Sequence, residues 1–248
     1  MHCDDANNRY LAKDRAELAF QMPLRASLNN KETATAKLQV DSPMEKLDPD
    51  FRPLLRNYDL DALDAQSCVT YGLRPDFRLS YLNSSWFRFA AQNGGEPEIS
   101  DHWGLGTSIF RNMPTLIRDF YNLHYNKCLH TDGVWSHLYE CSSDSVFRTF
   151  YQTAYSLDRG NGLLVTNSLV IERPHDPLQR PVCAADDAAY RDKHGFLHQC
   201  SHCRRVQNLS EPIRWDWVPE WVRRIPDNTS HTFCPSCYGH YYPVGGVK

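Results

Sequence analysis

The sequence predicts an α+β protein: an antiparallel five-stranded sheet with helices on one side, then a small module held by four cysteines. Two observations carry this. Three β-prone runs, 134–141, 145–157 and 162–172, are separated by gaps of hairpin length and follow two shorter strands and a helical stretch. Two matched pairs, Cys200-Ser-His-Cys203 and Cys234-Pro-Ser-Cys237, each have the C-x2-C spacing that lets two thiolates grip one metal ion from a tight turn.

In chain order, 1–57 reads as a leader. Residues 5–22 suit a short helix with Leu11, Leu18 and Phe20 on its apolar side, and 24–45 carry too few large apolar groups to offset their ordering entropy. A further short helix is expected over 48–57. Residues 67–73 are β-prone and end at Arg74-Pro75-Asp76, a turn signal, and 77–82 alternate as a second strand. Asn83-Ser84-Ser85 offers a cap for a helix carrying Trp86, Phe87, Phe89 and Ala90, stopped by Gly94-Gly95. A loop with a turn around 107–112 leads to Pro114, expected at the first helical position before Leu116, Ile117, Phe120, Leu123 and Tyr125 at helical spacing. The three long strands then form an antiparallel meander, closing a unit over 58–173. Residues 174–194 read as a linker with a short helix near 184–192, and 195–248 as the cysteine module.

At 248 residues, with 41% apolar and 23% charged residues, the composition is that of an ordinary globular chain. Its formal net charge of −3 provides no positive field for nucleic acid or an anionic membrane. The start is polar and acidic where a signal peptide is basic then apolar, so a cytoplasmic location is expected. Nine cysteines in a reducing compartment favour metal over disulfides. The scattered Cys3, Cys68, Cys128, Cys141 and Cys183 read as small buried or incidental thiols.

The element order, with Tyr81-Leu82-Asn83-Ser84-Ser85-Trp86 at the junction of second strand and helix, resembles a PAS domain. In that family a tyrosine–x–asparagine step closes strand two and the asparagine starts the helix. Gly72-Leu73-Arg74-Pro75-Asp76 is similar to the family's first hairpin. The tail, with Cys200-Ser-His-Cys203-Arg204-Arg205 and Ser230-His231-Thr-Phe-Cys234-Pro-Ser-Cys237, resembles cysteine-paired extensions beside sensory domains of bacterial signalling proteins. The resemblance implies a non-catalytic sensory or interaction role with a protein partner or a homodimer. It also implies a pocket ligand of unknown identity between sheet and helices. His124 lies where haem-binding relatives carry a proximal histidine, and strand alternation puts Trp135, His137, Tyr139 and Cys141 on one face, so His124, Trp135, His137 and Tyr139 are the candidate pocket residues. Residues 107–113 lack the cysteine that flavin-reacting relatives use.

A structural Zn²⁺ held by Cys200, Cys203, Cys234 and Cys237 is the expected cofactor, with iron or a redox dithiol as alternatives. His198, His202 and His231 are expected to flank the site. The insert between the pairs must fold back, with Trp215, Trp217, Val218 and Trp221 to pack it. Chelation is expected to open 195–240 and leave 60–172 intact. Arg204, Arg205, Arg214, Arg223 and Arg224 beside tryptophans suggest a transcription-linked nucleic-acid surface as one alternative function, opposed by Glu211, Asp216, Glu220 and Asp227, and a thiol-based redox or metal sensor is the other. Signatures of a P-loop, a dinucleotide fingerprint, a nucleophile elbow and a metalloprotease helix are missing, and little chain remains after the last knuckle, so catalysis is not expected.

Overall fold

The computed structural model describes residues 46–243. The helix read over 5–22 and the leader over 24–45 lie outside the described residues. The expected helix over 48–57 is a single 3₁₀ turn, Arg52–Leu55. It is followed by a short helix that the sequence reading passed over, α1 (Leu60–Ala65), capped by Asp59, whose carboxylate accepts from Asp61 N and Ala62 N at 3.0 and 3.1 Å.

Strands β1 (Val69–Leu73) and β2 (Leu79–Leu82) form the first hairpin. Helices α2 (Ser84–Gln92), α3 (Glu98–His102) and α4 (Thr115–Thr131) follow, then β3 (Val134–Glu140), β4 (Val146–Leu157) and β5 (Gly162–Pro174). The meander β3-β4-β5 is antiparallel, and β5 also pairs antiparallel with β1, giving one sheet in the order β2-β1-β5-β4-β3. Pro114 is the N-cap of α4 rather than its first residue, with an extended ψ of 140° that suits a residue outside the helix.

Asn83 is the local organiser of the first half. Its carboxamide oxygen caps α2 at Trp86 N and takes the Thr70 N–H of β1 at 2.9 Å, while its amide donates to Cys68 O at 2.9 Å. One fully buried side chain thus fixes a strand, a loop and a helix start.

Helices α2, α3 and α4 pack on one face, where Tyr71, Leu79, Trp86, Ile99, Ile117, Phe120 and Tyr125 share an apolar core. Not all helical structure lies there. Leu55 of the 3₁₀ turn and Leu63 of α1 pack with Phe51, Tyr81, Leu157 and Leu164 on the opposite face, so helical segments flank both sides of β1, β2 and β5. Successive side chains along a strand point to opposite faces, so Leu163 and Val165 serve one core and Leu164 the other.

A buried polar chain crosses the middle of the sheet. Tyr125 donates to Gln152 Oε1 at 3.0 Å, Gln152 donates to Tyr71 Oη at 3.3 Å and Asn167 Oδ1 at 2.9 Å, and Tyr139 donates to the same Asn167 oxygen at 3.0 Å. Burial raises the pKa values of these tyrosines, so they stay protonated donors.

The tail has its own sheet, which the sequence reading did not foresee. Strands β6 (Leu197–Cys200), β7 (Val206–Gln207), β8 (Trp215–Asp216) and β9 (Thr229–Thr232) lie in the order β8-β7-β6-β9. Around them are α5 (Asp187–Tyr190), α6 (Pro219–Arg223) and α7 (Pro235–Tyr241). The segment read as a linker is built in: Cys183 N donates to Trp217 O at 2.9 Å, and Arg180 is buried.

Candidate metal centre

The two knuckles meet because β6 and β9 run parallel. Their register sets Cys200 opposite Thr232, and Ser201 N donates to Thr232 O at 2.6 Å, two residues before Cys234. The first knuckle turns back tightly. Arg204 N donates to Cys200 O at 3.0 Å, Cys200 N donates to Arg205 O at 2.8 Å, and Arg204 takes a left-handed φ of 61° to close the loop. In the second knuckle Cys234 caps α7, Pro235 opens it, and Cys237 sits in its first turn.

All four Sγ atoms lie within 4.8 Å of one another, and Cys203 Sγ is 3.8 Å from Cys234 Sγ. Sulfurs bound tetrahedrally at about 2.3 Å from one metal ion stand about 3.8 Å apart, so the Cys203–Cys234 separation is that of two ligands of one ion, and the four thiols could hold a metal. The cysteines are 0–8% exposed, which shields the sulfurs from solvent. The thiols compete for protons: Cys234, accepting from its neighbours, is pushed toward thiolate, while Cys203 and Cys237 are pushed up. A divalent cation held by Cys200, Cys203, Cys234 and Cys237 would resolve this competition by keeping all four as thiolates.

The surroundings tie the cage to the large sheet. Cys200, Cys203, Cys234 and Cys237 belong to the same apolar core as Ile117, Phe120 and Tyr121 of α4. Tyr241 packs on Phe120 at 4.7 Å and on Phe233 at 4.7 Å between ring centroids. Its hydroxyl lies 2.8 Å from His202 Nδ1. Polar links reinforce this seam: Tyr242 Oη donates to Leu116 O at 2.7 Å, and His240 Nε2 donates to Leu138 O at 3.0 Å. Arg180 pairs with Glu140 at 2.6 Å while its guanidinium lies over Trp217 at 4.8 Å. Arg223 meets Asp144 at 2.6 Å.

The histidines near the cage stand beside it. His202 binds Tyr241, His198 faces Asp192 at 3.8 Å, and His231 is held down to a pKa of about 4 by burial and by Arg204. Of the insert aromatics, Trp221 and Val218 form a small core with Tyr190, Leu197 and Val206, and Trp217 is 2% exposed. The arginines are largely committed within the fold. Arg204 is buried, Arg214 pairs with Asp216 at 2.7 Å, Arg223 pairs with Asp144, and Arg205 donates to Gln179 O at 3.2 Å.

Three of the four candidate pocket residues, His124, Trp135 and His137, stand as a packed column. His124 stacks on Trp135 at 4.8 Å and 9°, and Trp135 on His137 at 5.6 Å and 9°, with Phe120 against all three. Tyr139 stacks on Phe150 and joins the polar chain through Asn167. A surface depression of about 400 Å³ between the 3₁₀ turn and the end of β4 has none of these four in its lining.

His137 gives a pH dependence. Burial, and then the neighbouring His240, His202 and His124, lower its pKa to about 3. An unfolded histidine takes its proton near pH 6.5, so the folded state binds fewer protons below that value. Stability from this group is complete above pH 6.5, erodes as pH falls, and is lost by about pH 3. Thermal melts of His137→Phe should show a shallower acid limb between pH 6.5 and 4 than the parent. Superimposable limbs would remove His137 as the cause.

No family model matches the chain, and no curated protein matches it. No described helix is long and apolar enough to cross a membrane.

Proposed function

We propose that this protein is a non-catalytic sensory or interaction protein in which a PAS-type domain is stapled to its tail by a structural zinc ion. The observation that carries the reading is the closed four-thiolate cage inside the apolar core of the α4–β3 face. A closed tetrahedron leaves no position for a substrate, so the ion's role is to hold structure. Support for the PAS reading comes from the ordered elements β1-β2-α2 and α4-β3-β4-β5, with Asn83 ending the second strand and capping the next helix. The tail then reports on the packing of α4 and β3, the elements it touches, and a partner that alters this packing is sensed through it. The nucleic-acid alternative is weaker because four of its five arginines, Arg204, Arg205, Arg214 and Arg223, are buried or make contacts within the fold.

Metal analysis and absorption of the purified full chain test this. The expected result is one zinc per chain and no visible band. A thiolate-to-iron band, or a protein that folds without metal and binds none, overturns the zinc reading, and a haem or flavin band overturns the filled pocket.

A further inference from the structure

The two outer strands of the large sheet have neighbours along their free edges. Beside β2 runs the entering chain: Lys46 O accepts from Leu82 N at 2.8 Å, and Leu47 bridges Tyr81. Beside β3, His240 of α7 donates to Leu138 O at 3.0 Å. An edge inside the sheet is left open instead. β5 is 13 residues long, and β1 pairs only with its first part, from Leu163 to Asn167. Over 168–174 the strand is held by β4, and among the described residues nothing pairs with its other side.

Every residue of 168–174 is exposed, with Leu169 at 49%, Val170 at 55% and Ile171 at 42%. Glu172, Arg173 and Pro174 blunt the far end of this edge, as charges and proline do on protected edges, but the apolar stretch before them has no such guard. Free backbone N–H and C=O groups beside three large aliphatic side chains form the arrangement to which an extended segment adds as a strand.

We propose that residues 33–40 of this same chain fill that place, as a strand antiparallel to β5 and in line with β1. The sequence Thr33-Ala34-Thr35-Ala36-Lys37-Leu38-Gln39-Val40 alternates strictly between polar and apolar residues, with no Gly or Pro to interrupt it. The direction of the chain agrees. β2 and β5 are both antiparallel to β1, and Leu47 is antiparallel to Tyr81. Traced back from Leu47 to Lys46, the chain therefore heads toward the end of the sheet where 168–174 lies. Lys46 is fixed at this exit, its Nζ donating to Ser84 Oγ at 2.7 Å.

The reach and the charges agree as well. Setting Leu38 opposite Ile171 brings Lys37 opposite Glu172, which stays half-exposed beside Arg148, so one register supplies an apolar and an oppositely charged cross-strand pair. Val40 then falls level with Leu169. Lys46 is level with Leu82, Tyr71 and Val165. The gap is two strand spacings across and four residues along, roughly 16 Å, and six residue steps reach about 20 Å. Residues 33–40 bury too little to order alone, but 41–45 form a tether that keeps them beside the edge and lowers the cost of closing the loop. The proposal rests on backbone pairing and uses neither the metal nor the PAS reading.

Residue-resolved hydrogen exchange on the full chain tests it. Amides in 33–40 and in 168–173 should both be protected, and dilution should leave that protection unchanged because the contact lies within one chain. Leu38→Asp should speed exchange in 168–173 by at least about tenfold, and Ile171→Asp should do the same in 33–40. Leu178→Lys, at a 92% exposed position, should change neither. Unprotected amides in both segments mean a bare edge and overturn the proposal. Protection of 168–173 that survives Leu38→Asp marks a peptide of another protein, and protection that fades on dilution marks a second copy; either overturns it. So does protection of 33–40 that ignores Ile171→Asp.

Discussion

Cys234→Ser should release the metal and lower the melting temperature by about 10 °C or more. Structural zinc contributes an apparent 10–16 kcal/mol to the folding of small metal modules, and losing even a third of that, about 4 kcal/mol, shifts the melting of a chain this size by about 8–16 °C. The physical reason lies in what surrounds the cage. The knuckles are brought together by four residue pairs of β6 and β9, the Ser201–Thr232 hydrogen bond and the first turn of α7, a short scaffold for four thiols that repel one another once ionised. Cys183→Ser, at a thiol outside the cage, should move the melting temperature little. A Cys234→Ser protein that keeps its metal and its melting temperature would refute the structural role.

The reach of that loss differs from what sequence spacing suggests. A tail attached by a linker would open alone, sparing 60–172. In the structure the thiols share one core with Ile117, Phe120 and Tyr121 of α4, and Tyr241 and His240 lie against His137 of β3. Removing the metal should therefore accelerate hydrogen exchange along Thr115–Thr131 and Val134–Glu140 as well as through the tail. Exchange confined to the tail would show that the two parts unfold independently.

What could be read from the sequence follows from the range of the interactions involved. The C-x2-C spacing places two sulfurs on one turn, a local fact, and the alternation of 145–157 places side chains on two faces, another. Hairpin-length gaps gave the β3-β4-β5 meander. The pairing of β1 with β5 and the parallel pairing of β6 with β9 join segments far apart in the chain and leave no periodic trace. The tail strands β7 and β8 are two residues each, too short for any alternation to register. For α1 the signal was present, in Asp59 ahead of Leu60-Asp61-Ala62-Leu63, but six residues are a weak periodic pattern. Strand alternation put Trp135, His137 and Tyr139 on one face of β3, and helical spacing brought His124 of α4 against Trp135. Nothing local revealed that their rings stack on one another, because Phe120 and Tyr241 fill the space from α4 and α7.

Phe120→Ala should cost about 3–5 kcal/mol, a melting shift of about 6–20 °C. Phe120 is 7% exposed and is the common neighbour of both halves. Its ring meets His124 at 4.5 Å on its own helix, His137 at 4.9 Å and Trp135 at 5.8 Å on β3, and Tyr241 at 4.7 Å and Tyr242 at 6.2 Å from the tail. Each pair adds an edge-to-face or tilted contact beyond area burial, so truncation removes several at once. The alanine leaves a void that α4, held by its own helical hydrogen bonds, and β3, paired with β4, cannot close, so the tail, seated there through Tyr241 and Tyr242, is the part expected to shift. The cysteines themselves are untouched, so zinc content should stay at one per chain while limited proteolysis of 233–243 speeds up. Phe120→Leu keeps most of the volume and should recover much of the lost stability, with a residual cost from the missing ring contacts. Equal proteolysis of the parent and Phe120→Ala would mean that the metal alone seats the tail. Loss of zinc in Phe120→Ala would mean that the cage is assembled by α4 rather than by β6 and β9.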